Sequence, residues 1–295
     1  MDYLTLAVLS ALWGTSFLLI KIAAGGLTPA AFAFGRVAVA VAASALAALS
    51  LVMGWRWPHD GRTWVYLLAM AAIGQAAPIL ALGAAAKLTT SGDLALMMGA
   101  APAATMLCAR AFGMGEVWSW RAAFGLAVGL AGVGLAVGAP VDATLYPQAT
   151  LGRALGLAAA VFYSLGALMS RAASRRIGPA MTATASLTLS AFVLLGVWLV
   201  IGGPAQAANA PLASLEALLT LGIVNTALAY LVYFRLVATA GATFAALNNY
   251  IVPFVGLVLG AVVMAEPVAW ASWLGPGRRA AQNLAQRNRV PRGDR

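Results

Sequence analysis

The chain has 295 residues, 62% of them apolar and only 9% charged, with a formal charge of +10 at pH 7. Soluble domains carry roughly 45–50% apolar and about 25% charged residues, so this composition excludes a water-soluble fold: there is too much apolar surface to hide and too little charge to face water. The basic residues are scattered through short loops and the C-terminal tail, which is the pattern of membrane orientation and excludes a nucleic-acid-binding surface.

A bilayer core ~30 Å thick takes roughly 20 apolar residues of helix, and nine runs reach that length. The first, Tyr3–Ala24, is flanked by Asp2 and has neither a basic leader nor a small-residue cleavage site, so it reads as a retained span. Its middle presents Trp13, Ser16 and Phe17. The second run, Pro29–Met53, opens on Thr28-Pro29, a capping hydroxyl followed by a proline at the first helical position. Arg36 lies seven residues into it, about 10 Å deep at 1.5 Å per residue. A charge at that depth is costly and marks a functional candidate, here an anchor for a substrate carboxylate. The competing structural readings are a snorkelling side chain or a pair with Asp93.

The third run, Thr63–Ala86, carries Gln75 and Pro78 at mid-span. The fourth, Ser91–Phe112, starts with Asp93, read either as a partner for an ammonium or coupling proton or as a charge at the helix start. Met97 and Met98 offer an adaptable wall. Cys108, the single cysteine, reads as a small packing residue and excludes an internal disulfide. Glu116 precedes the fifth run, Val117–Gly138, and the linker Ala139–Thr150 follows.

The sixth run, Leu151–Ala172, has Phe162, Tyr163 and Ser164 in its middle, and the seventh, Pro179–Gly202, again opens on a proline. The eighth, Leu212–Ala238, holds Asn225, Tyr230 and Tyr233. The ninth, Gly241–Ala265, holds Asn248, Asn249 and Tyr250 just before Pro253. An unpaired amide in hydrocarbon costs several kcal/mol, so these groups face a cavity or each other. After Glu266 only eleven apolar-rich residues, Pro267–Gly277, precede a tail with six arginines. A tenth span through that tail carries Arg278, Arg279, Gln282 and Asn283, against a cost of roughly 2.5–3.5 kcal/mol per central charge.

The two halves repeat one another. Pro102, Glu116 and Gly125 are spaced by fourteen and nine residues, and Pro253, Glu266 and Gly275 by thirteen and nine. Trp13 to Lys21 and Tyr163 to Arg171 are both eight residues apart, and Pro29 and Pro179 open matching spans. The division is residues 1–138, a linker 139–150, residues 151–275, and an atypical basic polar tail 276–295. Five spans per half force the halves into opposite orientations, an inverted repeat with a solute site at their interface. With the N-terminus in the cytoplasm, inner loops hold eight basic residues and outer ends three, which sets the orientation. Glu116 and Glu266, in turns between paired helices, read as structural.

Leu12-Trp13-Gly14-Thr15-Ser16-Phe17, Arg36, Gly113-Met114-Gly115-Glu116 and Met264-Ala265-Glu266-Pro267 resemble the EamA-type branch of the drug/metabolite transporter superfamily. The overall look is similar to the YddG-type amino-acid exporters of bacterial inner membranes. The resemblance implies ten helices, both termini cytoplasmic, and export of small metabolites. The expected fold is therefore an all-α polytopic membrane protein of two inverted five-helix repeats.

The expected function is a secondary transporter or facilitator in the bacterial inner membrane, exporting amino acids, including aromatic or apolar ones. A carrier of another metabolite or drug-like solute, or a non-transporting membrane protein or enzyme, are the alternatives. The expected substrate-binding set is Trp13, Ser16, Phe17, Arg36, Gln75, Pro78, Asp93, Met97, Tyr163, Ser164, Asn225, Tyr230, Asn248, Asn249 and Tyr250. No Walker-type phosphate loop appears, the only histidine is His59 in a polar loop, and no metal-ligand cluster stands out, so no cofactor is expected. The expected partners are a small-molecule substrate and the bilayer, no nucleic acid, with the chain a monomer.

Overall fold

Every apolar run that falls among the described residues is helical in the computed structural model, which describes residues 2–50, 58–113, 131, 144–202, 209–240 and 248–266. Glu116, the fifth run save Ala131, and the tail after Glu266 lie outside those residues. No strand occurs among the described residues. α1 is Asp2–Gly26 and α2 is Pro29–Ser50. α3 is Gly61–Leu88, widened by a π turn at Ala72–Ala76. α4 is Ser91–Ala111, interrupted by a turn at Gly99 and Ala100.

α5 is Ala149–Ile177, and α6 is Pro179–Val197, continued by a π turn at Trp198–Gly202. α7 comprises Leu212–Gly222, a π turn at Ile223–Leu228 and Ala229–Ala240. α8 is Asn248–Val263. These eight correspond to the first four and the sixth to ninth predicted runs. Among the described residues α1, α3, α4, α5 and the stretch Met181–Ile201 are each long and apolar enough to cross a membrane.

The helix starts follow local chemistry. Thr28 Oγ1 accepts from the Ala31 amide at 3.2 Å, and Thr90 Oγ1 accepts from the Asp93 amide at 3.0 Å. Asp60 accepts from the Thr63 amide and hydroxyl, both at 2.8 Å, at the start of α3. Those two donations favour the charged carboxylate and hold it below the usual Asp range. Gly178 closes α5 and opens α6 at φ +82°, a left-handed backbone that suits a residue without Cβ.

Helices of one half pack mainly on helices of the other. α1 lies against α8 and α7, α2 against α6 and α7, α3 against α5 and α6, and α4 against α5 and α8. Small residues permit the closest approach: Gly74 of α3 meets Gly166 of α5 backbone to backbone. The main apolar core runs through this interface, with Phe32, Ile20, Leu94, Leu194 and Leu221 fully or almost fully buried. Val65, Phe192, Leu199, Ile201 and Val262 point outward and exposed. In water such a surface is a liability, whereas in lipid it is the solvated face.

Candidate functional site

Helix irregularities converge on one space. Pro78 has no N–H to give the Gly74 carbonyl, and the widened turn Ala72–Ala76 immediately precedes it. Pro102 likewise cannot bond Met98, and α4 breaks at Gly99-Ala100. The π turns of α3 and α7 each begin eleven residues after the first residue of their helix, at matching places in the two halves. Between these interruptions lies a cavity of about 430 Å³, bordered by residues from all eight helices. Its volume is at the lower end of small-molecule pockets, about 300–1,000 Å³.

One wall is aromatic. Trp13 meets Tyr230 edge-on with ring centres 6.1 Å apart, and Tyr233 at 5.5 Å in a tilted contact. Phe17 and Tyr163 also border the space. The polar groups are largely committed to helix–helix contacts. Asn225 Nδ2 donates to the Leu12 carbonyl and to Thr15 Oγ1, so the π turn of α7 is fastened to α1. Ser10 Oγ donates to Asn248 Oδ1 at 2.9 Å. Ser164 Oγ donates to the carbonyls of Ala160 and Ala101, at 2.8 and 2.9 Å.

Arg36 is the exception. It is 8% exposed and borders the cavity, where it is the only charged residue among the described lining. Its Nε donates to Thr226 Oγ1 at 3.3 Å, and that hydroxyl donates in turn to the Leu221 carbonyl at 2.8 Å. Its Nη1 is buried with no hydrogen-bond partner among the described residues. A buried guanidinium with an idle donor is costly, and an anion at that place would satisfy it with charge-assisted hydrogen bonds.

Trp13, Ser16, Phe17, Arg36, Gln75, Tyr163, Ser164, Asn225, Tyr230 and Asn248 of the expected set all border the cavity. Three others do not. Pro78 is buried on α3 away from the space. Met97 is packed against Ala100 and Ala160, and Met98, one residue and about 100° further round the helix, faces the cavity instead. Asp93 is neither a cavity residue nor a partner of Arg36. The side chains of Asn249 and Tyr250 lie outside the description.

Thr105, Ser170, Ser186 and Thr226 line the cavity although the sequence reading passed over them. Thr105 and Ser170 had a usable signal, being three residues beyond Pro102 and seven beyond Tyr163, on the same helix face.

Asp93 belongs to a second polar cluster, where α1, α3 and α8 end and α4 and α5 begin. Arg153 Nε meets Asp93 Oδ2 at 2.9 Å, and Thr89 Oγ1 donates to the same oxygen at 2.5 Å. Glu266 accepts from the amide of Ser91 at 2.8 Å, its hydroxyl at 2.5 Å and the Gly92 amide at 3.4 Å, capping α4 from the far half. Lys21 Nζ donates to the Thr89 carbonyl and stands 4.5 Å over the Tyr146 ring. Burial, with Glu266 and Asp93 nearby, pushes the Tyr146 hydroxyl above its ordinary value. The cluster clasps both halves together at this end of the bundle.

The model of the EamA-like transporter family matches residues 2–138 and 150–277. A crystal structure described only as that of a protein shares 20% identity and a TM-score of 0.61, covering 98% of each chain. At that identity the likeness is one of fold. No curated protein matches the chain.

Proposed function

The chain belongs to the EamA-like transporter family, and on that premise we propose that it exports small metabolites bearing a carboxylate, amino acids with aromatic or apolar side chains among them. As a family member it is a multi-pass membrane transporter of small solutes, built of two repeats. We place it in a bacterial inner membrane, N-terminus cytoplasmic, acting as a monomer by alternating access about the cavity between the halves. The observation that carries the substrate reading is Arg36, a buried guanidinium on the cavity wall with an idle Nη1. It is suited to hold a carboxylate while Trp13, Phe17, Tyr163 and Tyr230 bracket an apolar or aromatic body.

Coupling follows from Asp93. Among the described residues it is the carboxylate buried within a span, and its oxygens are engaged by Arg153 and Thr89. We therefore favour a facilitator driven by the solute gradient. Counterflow of labelled phenylalanine and leucine into proteoliposomes tests the reading. Saturable uptake above protein-free vesicles is expected, and Arg36→Gln should raise the apparent KM for carboxylate solutes. Lack of counterflow across a broad amino-acid and metabolite panel overturns it.

A further inference from the structure

We infer that the cavity takes its solute as a net monoanion in preference to a zwitterion: an aromatic or apolar acid with a neutral group where a free amino acid carries its ammonium. The inference rests on the transport reading of the same cavity and narrows its substrate class.

The charge balance of the site carries it. The chain has eight acidic residues. Five are described, and each is placed elsewhere. Asp2 accepts from Thr239 on the exposed surface, Asp60 caps α3, and Glu216 is exposed near the start of α7. Asp93 is held by Arg153, and Glu266 caps α4. The remaining three, Glu116, Asp142 and Asp294, lie outside the described residues and fall outside the apolar runs of the sequence. Among the described residues the cavity lining thus holds one cation, Arg36, and no counter-charge for an ammonium.

A carboxylate against Arg36 leaves the occupied cavity neutral. A zwitterion leaves it with one net positive charge in a space of low dielectric, where an ion without a counter-ion is penalised. The available acceptors do not replace that counter-ion. Asn248 Oδ1 already accepts from Ser10, and Trp13, Tyr230 and Tyr233 pack on one another. Ser16 and Ser164 give their hydroxyl protons to backbone carbonyls, and Thr226 also accepts from Arg36, so their remaining lone pairs can accept from a solute hydroxyl but bring no charge to balance an ammonium.

Phenyllactate and phenylalanine make the test, because they share ring and carboxylate and differ by a hydroxyl against an ammonium. Two readouts on the purified full chain separate the outcomes: counterflow in proteoliposomes, corrected for leak in protein-free vesicles, and ligand-induced thermal stabilisation in detergent. Phenyllactate should compete at about tenfold lower concentration than phenylalanine and stabilise more strongly. Arg36→Gln should erase the preference, and Arg36→Lys, which keeps the charge, should retain it. Phenylalanine equal to or better than phenyllactate overturns the inference and leaves transport standing; an ammonium seated on the aromatic wall would give that result. Stronger stabilisation by phenyllactate than by phenylalanine, without flux, upholds the charge preference and overturns the transport reading. No effect of either acid on a folded protein overturns both.

Discussion

Replacing Asp93 by Asn takes a full negative charge from one of the most enclosed positions in the protein. Asp93 is 2% exposed and Arg153 6%, and their 2.9 Å contact joins the two halves. Removing one partner of a buried pair costs about 3–5 kcal/mol, because the other charge stays out of water. Arg153 keeps a further interaction of its own, and the Asn can still meet Thr89. The expected cost is therefore at the lower end, about 3 kcal/mol.

Arg153→Gln should cost a similar amount. The double variant, with no charge left to strand, should lose less than the two singles added, with a coupling of about 2 kcal/mol. Reversible unfolding in mixed micelles, with the four proteins measured side by side, gives these values. Additive losses, or single losses under about 1 kcal/mol, would refute the reasoning and reduce the contact to an ordinary surface pair.

Gly74→Ala places a Cβ 2.4 Å from the Gly166 Cα, backbone that cannot swing aside. Since carbons rest about 3.5–4.0 Å apart, α3 and α5 must part by roughly 1 Å, and a loss of about 1–3 kcal/mol is expected. Gly25→Ala, with nothing within 4 Å, is the control and should unfold like the wild type. Glu266→Gln keeps an acceptor but removes the charge at the α4 start; a loss of about 1 kcal/mol is expected in the same titration. Asp60 is held below its ordinary value of 3.8 by Thr63, so its charge stabilises the fold above that value and ceases to do so as the pH falls through the lower folded value. The difference in thermal midpoint between wild type and Asp60→Asn should accordingly be present at pH 7 and shrink in acid.

The sequence was most informative along the helix axes. Thr28, Thr90, Pro29 and Pro179 mark starts because capping hydroxyls and prolines act within one turn, and the predicted runs end within a few residues of the observed helices. Position along each run was legible too, which is why Trp13 and Tyr163 were read in the middle of their spans and Arg36 seven residues into its own; all three border the cavity. Azimuth was not. Asp93 and Arg36 looked like plausible partners at similar depth, yet helix packing gives Asp93 to Arg153. Arg153 was one of the three basic residues counted at outer helix ends, because nothing local says that α5 begins two residues before the apolar run and buries Gly152 and Arg153. Met97 and Met98 differ only in direction. The π turn in α7 has no proline beside it, and the run Ile223–Leu228 looks like ordinary helix, so Thr226 escaped notice.

Those π turns also act on helix phase. A turn closed five residues on holds one residue more than an α turn, which displaces everything beyond it by about 100° around the axis. In α3 the displaced segment includes Ile79 and Leu82, and in α7 it includes Tyr230 and Tyr233, all cavity residues. Excising a single residue from each turn would give two regular helices of nearly the same length and hydropathy, with those four side chains swung off the wall. The interior of this carrier thus depends on a count: two supernumerary residues, one in α3 and one in α7, keep the upper and lower parts of each of those helices facing the same space.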